Sequence, residues 1–483
     1  MTTTAPAARA ATSLPTLAAF SLPGMPLAGM LLVLVVYLPR YYVGLGGGFA
    51  AVAAAIFAVR FLDIWFDPFL GFAMDRTRTP VGRYRPWLIL GAPIAAGGLY
   101  MLLVPHGKVG TSYLILWMLV TYAGASMLNL SIAAWSALLS SSYDGRSRVY
   151  GLTQGLAVIG STGLLLLPLI TRGKIILGKA ASMPAVAAIL IIALPFAVLV
   201  CASLTPERIA AQPAGRAGFS FKDFWFAISK PSLLRIVAAD LVLTLGPGTT
   251  GPLYVYFFHD AKGFDIAEVG YLLIFYIGAG VAGAPTWGWV ARRLGKHRTV
   301  QVACIAYGIT QTILMATPRV WPGHHFLDLI PTICGMIGVG FCASAFLLLV
   351  RAMVADVVDE VRLESGRDLT SLLFSLVTTT TKIGTVISII IVFPILNLVG
   401  YNGKEGAVNT PHAIFGLEMC YLFAPIILVF VGGSMFFGYG LDAHRHGAIR
   451  QALEARDALP SLDGAEETLV GPMPGDPVAP AAE

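Results

Sequence analysis

Arg60, Asp63 and Asp67 stand three and four positions apart inside an apolar run, a spacing that puts all three on one face of a helix. Charge inside hydrocarbon is costly, so such a face must look into a cavity or onto a partner charge. One cation set against two carboxylates leaves one negative charge over, and a proton or a metal cation can neutralise it. The chemistry in view is therefore reversible cation binding. Lys382 follows Thr378-Thr379-Thr380-Thr381 in a second apolar run, too near its middle to snorkel easily, and is expected to act as a counter-charge to Asp63 or Asp67. Asp240, ahead of Gly246-Pro247-Gly248-Thr249-Thr250, is a further acid within an apolar run. It either faces a cavity or is solvated in a vestibule near Arg235. The Gly-Pro-Gly sequence is read as a helix interruption lining a cavity or a hinge.

These residues need elements that hold charge away from lipid, and the composition says which. Of 483 residues, 57% are hydrophobic and 12% charged, against roughly a quarter charged in soluble chains. Apolar runs long enough to cross about 30 Å of hydrocarbon as helices recur, for example at 87–105, 184–203 and 421–440. No period-two pattern of a barrel is present. The first run, from near Leu17 past Tyr37, has no small-residue cleavage site behind a short core and reads as a retained helix. The five cysteines lie in or beside apolar runs without ligand spacing and are expected to pack. All eight histidines, at 106, 259, 297, 324, 325, 412, 444 and 446, fall in expected loops or tails, and no nucleophile–base pair lies within a span. The reading is of a non-enzyme without cofactors. The net charge of +6 is spread through short loops, which argues against nucleic acid as a partner.

The fold class that follows is an all-α membrane protein. Twelve transmembrane helices are expected near 16–39, 48–72, 86–105, 112–139, 149–171, 183–203, 233–257, 266–290, 300–317, 328–350, 370–399 and 413–440. Basic residues crowd alternate loops, among them Arg76, Arg83, Arg85, Arg146, Arg148, Arg292, Arg293, Lys296 and Arg298. The intervening loops hold only Arg40, Lys108, Arg172, Lys174, Lys179, Lys262, Arg319 and Lys404. This asymmetry places both termini in the cytoplasm and the chain in an inner (plasma) membrane. Residues 1–203 form one six-helix half and 233–440 the other. Residues 204–232 are a cytoplasmic linker with Pro206 and Pro213, and 441–483 a cytoplasmic tail expected to be disordered and dispensable. The expected partners are the bilayer and a small-molecule solute, with the chain a monomer.

The halves repeat a loop. Gly71-x-x-x-Asp75-Arg76 with Gly82-Arg83-Tyr84-Arg85 follows the second helix, and Gly288-x-x-x-Arg292-Arg293-Leu294-Gly295-Lys296 follows the eighth. The glycines would let helices approach, and the basic residues would meet helix ends and hold that face closed as a gating loop. The repeat resembles the loop motif of the major facilitator superfamily, whose two parallel halves it implies. The longer segment Arg60-x-x-Asp63-x-x-x-Asp67-Pro68-x-x-Gly71, with Gly82-Arg83-Tyr84-Arg85-Pro86-Trp87, Ala355-Asp356-Val357-Val358-Asp359 and Lys382-Ile383-Gly384, resembles the glycoside-pentoside-hexuronide:cation symporter family. That resemblance implies a cation site at Asp63 and Asp67, with Lys382 near it and Arg60 setting its charge. If sodium is the cation, the two aspartates are its metal ligands.

The chain departs from the sugar-carrying pattern at Leu22-Pro23-Gly24, Asn129-Leu130-Ser131 and Thr153-Gln154, where acids and an arginine would meet sugar hydroxyls. Phe66 and, approximately, Leu128 replace an amide and a hydroxyl of the family's sodium site. These differences point to a proton as the coupled cation and to a less polar solute, such as an amphipathic metabolite or lysolipid. A sodium-coupled sugar or glycoside symporter and a nontransporting sensor are the alternatives. The expected substrate cavity comprises Asn129, Ser131, Trp135, Thr153, Gln154, Asp240, Thr249, Tyr254, Thr378 and Thr381.

Overall fold

The computed structural model describes residues 14–77, 79–106, 109–139, 143–177, 179–207, 225, 229–320, 326–365, 370–404, 407–441 and 443–457. Where no water reaches the backbone, a segment must satisfy its own N–H and C=O groups, and the apolar runs accordingly fold as helices. Among the described residues twelve are of membrane-crossing length. They are α1 (Leu14–Gly44), α2 (Phe49–Arg76), α3 (Arg85–Leu103), α4 (Thr111–Leu139), α5 (Tyr143–Leu165) and α6 (Met183–Leu204), then α7 (Pro231–Tyr256), α8 (Ile266–Leu294), α9 (Lys296–Met315), α10 (Ile330–Ser365), α11 (Thr370–Leu398) and α12 (Pro411–Ser434). Nine are apolar enough to cross a membrane by length and composition; α2, α5 and α9 carry more polar residues. In α1 the helix breaks after Ser21 and widens to a π turn at Val33–Tyr37, just before Pro39, whose missing N–H removes a helical hydrogen bond.

The first six helices pack α1 on α5 and α6, α2 on α4, and α3 on α4 and α6. The second six repeat every pair, with α7 on α11 and α12, α8 on α10, and α9 on α10 and α12. Small residues bring the backbones together. A Cβ on Gly124 would run into the Ala95 backbone between α3 and α4, and one on Gly340 into the Tyr276 carbonyl between α8 and α10.

Three expectations are corrected. The helix is not interrupted at Gly246-Pro247-Gly248, because α7 continues through it. Thr249 and Thr250 donate their hydroxyls to the Gly246 and Pro247 carbonyls at 2.7 and 2.8 Å. Gly246 packs on Pro425 and Val429 of α12 and Gly248 on Ser388 of α11, so the segment is a packing seam. The tail is not wholly without structure: α13 (Ala443–Asp457) lies against α10. It buries Ile449 and Leu453, and pairs His446 with Asp359 at 3.0 Å and Arg445 with Glu360 at 3.2 Å. Residues 458–483 and most of the linker lie outside the described residues. Thirdly, the loop glycine Gly71 marks no close helix approach, since a Cβ there would meet open space.

What the loop does need is Gly82, at φ +131°, a conformation only glycine adopts at no cost. The turn lays three consecutive amides on one carboxylate. Arg83 and Tyr84 N–H donate to Glu207 Oε1 at 2.6 and 2.7 Å, and Arg85 N–H to Oε2 at 3.1 Å. Glu207, just past α6, thus caps the positive N-terminal end of α3. Charged hydrogen bonds contribute about 1.5–3 kcal/mol, so Glu207→Ala is expected to lower the thermal unfolding midpoint of the purified protein clearly; an unmoved midpoint would count against the cap. In the second half the equivalent clasp uses Lys296, bonded to Asp356 Oδ1 at 2.6 Å and the Ala352 carbonyl at 3.0 Å. Arg293 stacks 4.0 Å over Trp289, and Arg292 and Arg76 are exposed. The side chain of Asp75 is outside the described residues.

Candidate functional site

The acidic face of α2 turns toward α4 and α11. Asp63, buried with its side chain 6% exposed, accepts from Ser126 Oγ of α4 through Oδ1 at 3.0 Å and from Lys382 Nζ of α11 through Oδ2 at 3.2 Å. The same ammonium pairs with Asp67 Oδ2. Lys382 belongs to the second half of the chain and both aspartates to the first, so this cluster is also an electrostatic bridge between halves. Asp67 Oδ1 is buried and has no hydrogen-bond partner among the described residues. A buried carboxylate oxygen without a donor is a standing cost and an open position for a proton or a small cation.

Arg60 is not part of this cluster. Its guanidinium lies 4.2 Å above the Tyr122 ring of α4 and its Nε has no hydrogen-bond partner among the described residues; the cation–π seat is what steadies the charge there. The three-residue cluster therefore keeps one formal negative charge. The fourth-helix hydroxyl, expected to be missing at Leu128, comes from Ser126. Leu128 itself is fully buried against α3. Nothing but a lone serine in an apolar run marked Ser126 beforehand.

The expected cavity residues do not converge on one surface. Asn129, Gln154 and Thr378 are exposed. Thr153 meets Ser21 across the α1–α5 contact at 3.0 Å. Ser131 is fully buried with an unpartnered hydroxyl. Trp135, Thr249 and Tyr254 are packed away from open space. Trp135 sits edge-on to Phe20, and Tyr254 donates to the Val269 carbonyl at 2.9 Å; large aromatics at helix contacts bury area first. Asp240 is not solvated beside Arg235. It is buried and accepts from Thr380 and Thr381. A cleft of about 420 Å³ between α2 and α4 is lined by Leu62, Trp65, Phe66, Phe69 and Tyr122, with Asp63 on its wall.

At the end of the bundle away from the termini, the halves meet again. Arg40 at the end of α1 pairs with Asp260 beyond α7, Nη2 to Oδ1 at 3.1 Å and Nη1 to Oδ2 at 3.4 Å, and lies 5.2 Å over the Tyr256 ring. The Tyr401 hydroxyl donates to Asp260. Burial first, and then the adjacent Asp260 charge, holds that phenol well above its ordinary range and so keeps it a donor. Close by, Gly251 of α7 faces Val35 of α1 and Gly270 of α8 faces Leu165 of α5. The sequence listed Arg40 only as an outer-loop charge and did not single out Asp260 or Tyr401, because their partners are more than 100 positions distant. Asp260→Asn is expected to loosen this seam. A cysteine at Gly251, in a Cys334→Ser background, should then react several-fold faster with a polar thiol reagent; equal rates would mean that the ion pair does not hold the seam.

The sequence matches the family described as MFS/sugar transport protein over residues 19–443. It is 27% identical over 427 residues to the isoprimeverose transporter of Lactiplantibacillus pentosus, covering 84% of this chain and 82% of that one. It is 26% identical to the glucuronide carrier protein homolog of Escherichia coli (strain K12), covering 82% and 86%. It is 23% identical to the sodium-dependent lysophosphatidylcholine symporter 1 of Homo sapiens, covering 87% and 82%. Among solved structures, the nucleoside transporter NupG superposes with a TM-score of 0.66 at 13% identity, covering 88% of this chain and 99% of that one. A bacterial homolog of the lysosomal transporter Spinster gives 0.62 at 12% identity, covering 92% and 99%.

Proposed function

The chain belongs to the MFS/sugar transport protein family, a family of multi-pass membrane transporters, and from that membership we propose that it is a cation-coupled symporter whose cation exchanges with Lys382 at Asp63 and Asp67. The observation that carries this reading is the unpartnered Asp67 Oδ1 beside a lysine borrowed from the other half. A cation arriving at that oxygen competes with the ammonium for the same carboxylates. Loading therefore weakens the bridge between halves, which is the coupling an alternating-access carrier needs. The distal seam of Arg40, Asp260 and Tyr401 supports a state closed at that end, and the basic-loop asymmetry supports assigning that end to the outside, with both termini cytoplasmic.

The proton is the favoured cation. Asp63, Asp67 and Ser126 are the oxygen-bearing side chains gathered here, fewer than a hard metal cation usually collects, and a proton needs a single oxygen. The solute is read as amphipathic and not a sugar, on the apolar cleft beside Asp63 and the lack of charged side chains at the sugar-facing positions. The lysophosphatidylcholine symporter among its relatives supports that class. A glycoside is the second reading, favoured by the isoprimeverose and glucuronide carriers. Proteoliposome uptake of labelled lysophosphatidylcholine, isoprimeverose and a glucuronide, under imposed proton or sodium gradients, tests both. One solute should accumulate with an inward proton gradient; uptake of every solute indifferent to both gradients would refute the symporter.

A further inference from the structure

Asp240 lies in α7, within the second half, and is 4% exposed. Its Oδ2 accepts from Thr380 Oγ1 at 3.1 Å and from Thr381 Oγ1 at 2.9 Å, both on α11. Among the described residues no cation lies within ion-pair distance. The charged group acting on it is Arg351, from α10; Lys382, one residue past Thr381, is engaged with Asp63 and Asp67. Arg235, on its own helix, is turned to the Gly438 carbonyl at 2.9 Å. A membrane-embedded acid with hydroxyl donors and no counter-cation calls for a partner it does not have as a fixed group.

The two threonines supply more than donors. Each hydroxyl also lies within reach of the Val377 carbonyl, Thr380 at 2.8 Å and Thr381 at 3.0 Å. A hydroxyl has one proton and accepting lone pairs, so each stands between two acceptors and can serve one at a time. With Asp240 ionised, the hydroxyls turn to its Oδ2. With Asp240 protonated, its O–H donates to a threonine oxygen, and that threonine donates to Val377. Both protonation states are hydrogen-bonded by rotating hydroxyls alone, with no side chain displaced. The proton comes from water, adds to the carboxylate and leaves by the same route; no other bond changes. A carboxylate and two hydroxyls are fewer oxygens than a calcium site collects.

We propose that Asp240, with Thr380 and Thr381, is a second proton-binding site, in the half of the molecule opposite Asp63 and Asp67. The α11 turn that carries its hydroxyls ends in Lys382, so one helical turn touches a proton site in each half. Gly384 packs on the Leu241 carbonyl and Thr244, and Ser388 donates to the Leu245 carbonyl at 3.1 Å, which ties α7 and α11 together around the acid. Only the consequence for transport rests on the symporter reading; proton binding at Asp240 does not.

The test uses protons alone as the ligand. Full-length protein in liposomes is followed by pH-difference infrared spectroscopy of the protonated-carboxyl stretch, in H2O and D2O. Wild type should show deuterium-sensitive bands that titrate, and Asp240→Asn should lose one of them that Asp67→Asn keeps. The idea is overturned if Asp240→Asn retains every titrating band of the wild type, or if the band it loses is lost in Asp67→Asn as well. Should Asp240→Asn fail to fold, Thr380→Val with Thr381→Val keeps the acid and removes its partners. The band and its titration midpoint should then move, and an unmoved band overturns the site. Asp67→Asn protein that still accumulates solute, with the Asp240 band intact, would refute the coupling assignment and leave this site standing.

Discussion

Asp67→Asn protein folds, exchanges solute across the membrane, and no longer accumulates it. The amide keeps the side-chain shape and can still accept from Lys382, which retains its bond to Asp63 Oδ2 at 3.2 Å, so the helices stay in place. What disappears is the buried Oδ1 without a partner, the position where a cation would compete with the ammonium. One-proton symport across one pH unit sustains about a tenfold concentration ratio, because a pH unit corresponds to about 1.4 kcal/mol. The variant should lose that whole factor while counterflow, which needs no cation release, persists. Undiminished gradient-driven accumulation would sink the assignment of Asp67 as a coupling group.

Lys382→Met is the more disruptive change. It leaves Asp63 and Asp67 facing each other on adjacent turns of α2 without their shared cation, and removes the bridge from α11 to α2. Deleting one partner of a buried ion pair costs about 3–5 kcal/mol, largely from the charge left behind. The expected result is a strongly lowered unfolding midpoint and no coupled uptake. Adding Asp63→Asn to Lys382→Met should recover much of the stability, since replacing both members of a pair is far cheaper than removing one. Uptake should stay lost in the double variant. A Lys382→Met protein as stable as wild type would show that the ammonium contributes nothing net to holding the halves together.

Residues close in sequence announced themselves. Arg60, Asp63 and Asp67 share a helix face by spacing alone, the apolar runs had to be helices because hydrocarbon leaves the backbone no other partner, and the repeated glycine–arginine loops marked the duplicated half. Boundaries came within a few residues at α3, α4 and α11. Tertiary structure decided which of these groups meet. Arg60 shares the face of the aspartates yet stacks on Tyr122, a choice set by where α4 packs and not by anything local. Ser126, Glu207, Asp260 and Tyr401 are ordinary residues in sequence and become partners through contacts between 63 and 220 positions apart. The Gly-Pro-Gly segment reads as a break from propensity, but neighbouring α11 and α12 fill its small-residue groove and threonine hydroxyls bond its carbonyls, so the helix persists. Sequence by itself determined the solvent, the secondary structure and the presence of intramembrane acids, all consequences of local polarity and period. Which acid holds which proton donor, and which cation bridges the halves, depended on distances between helices that no local pattern encodes.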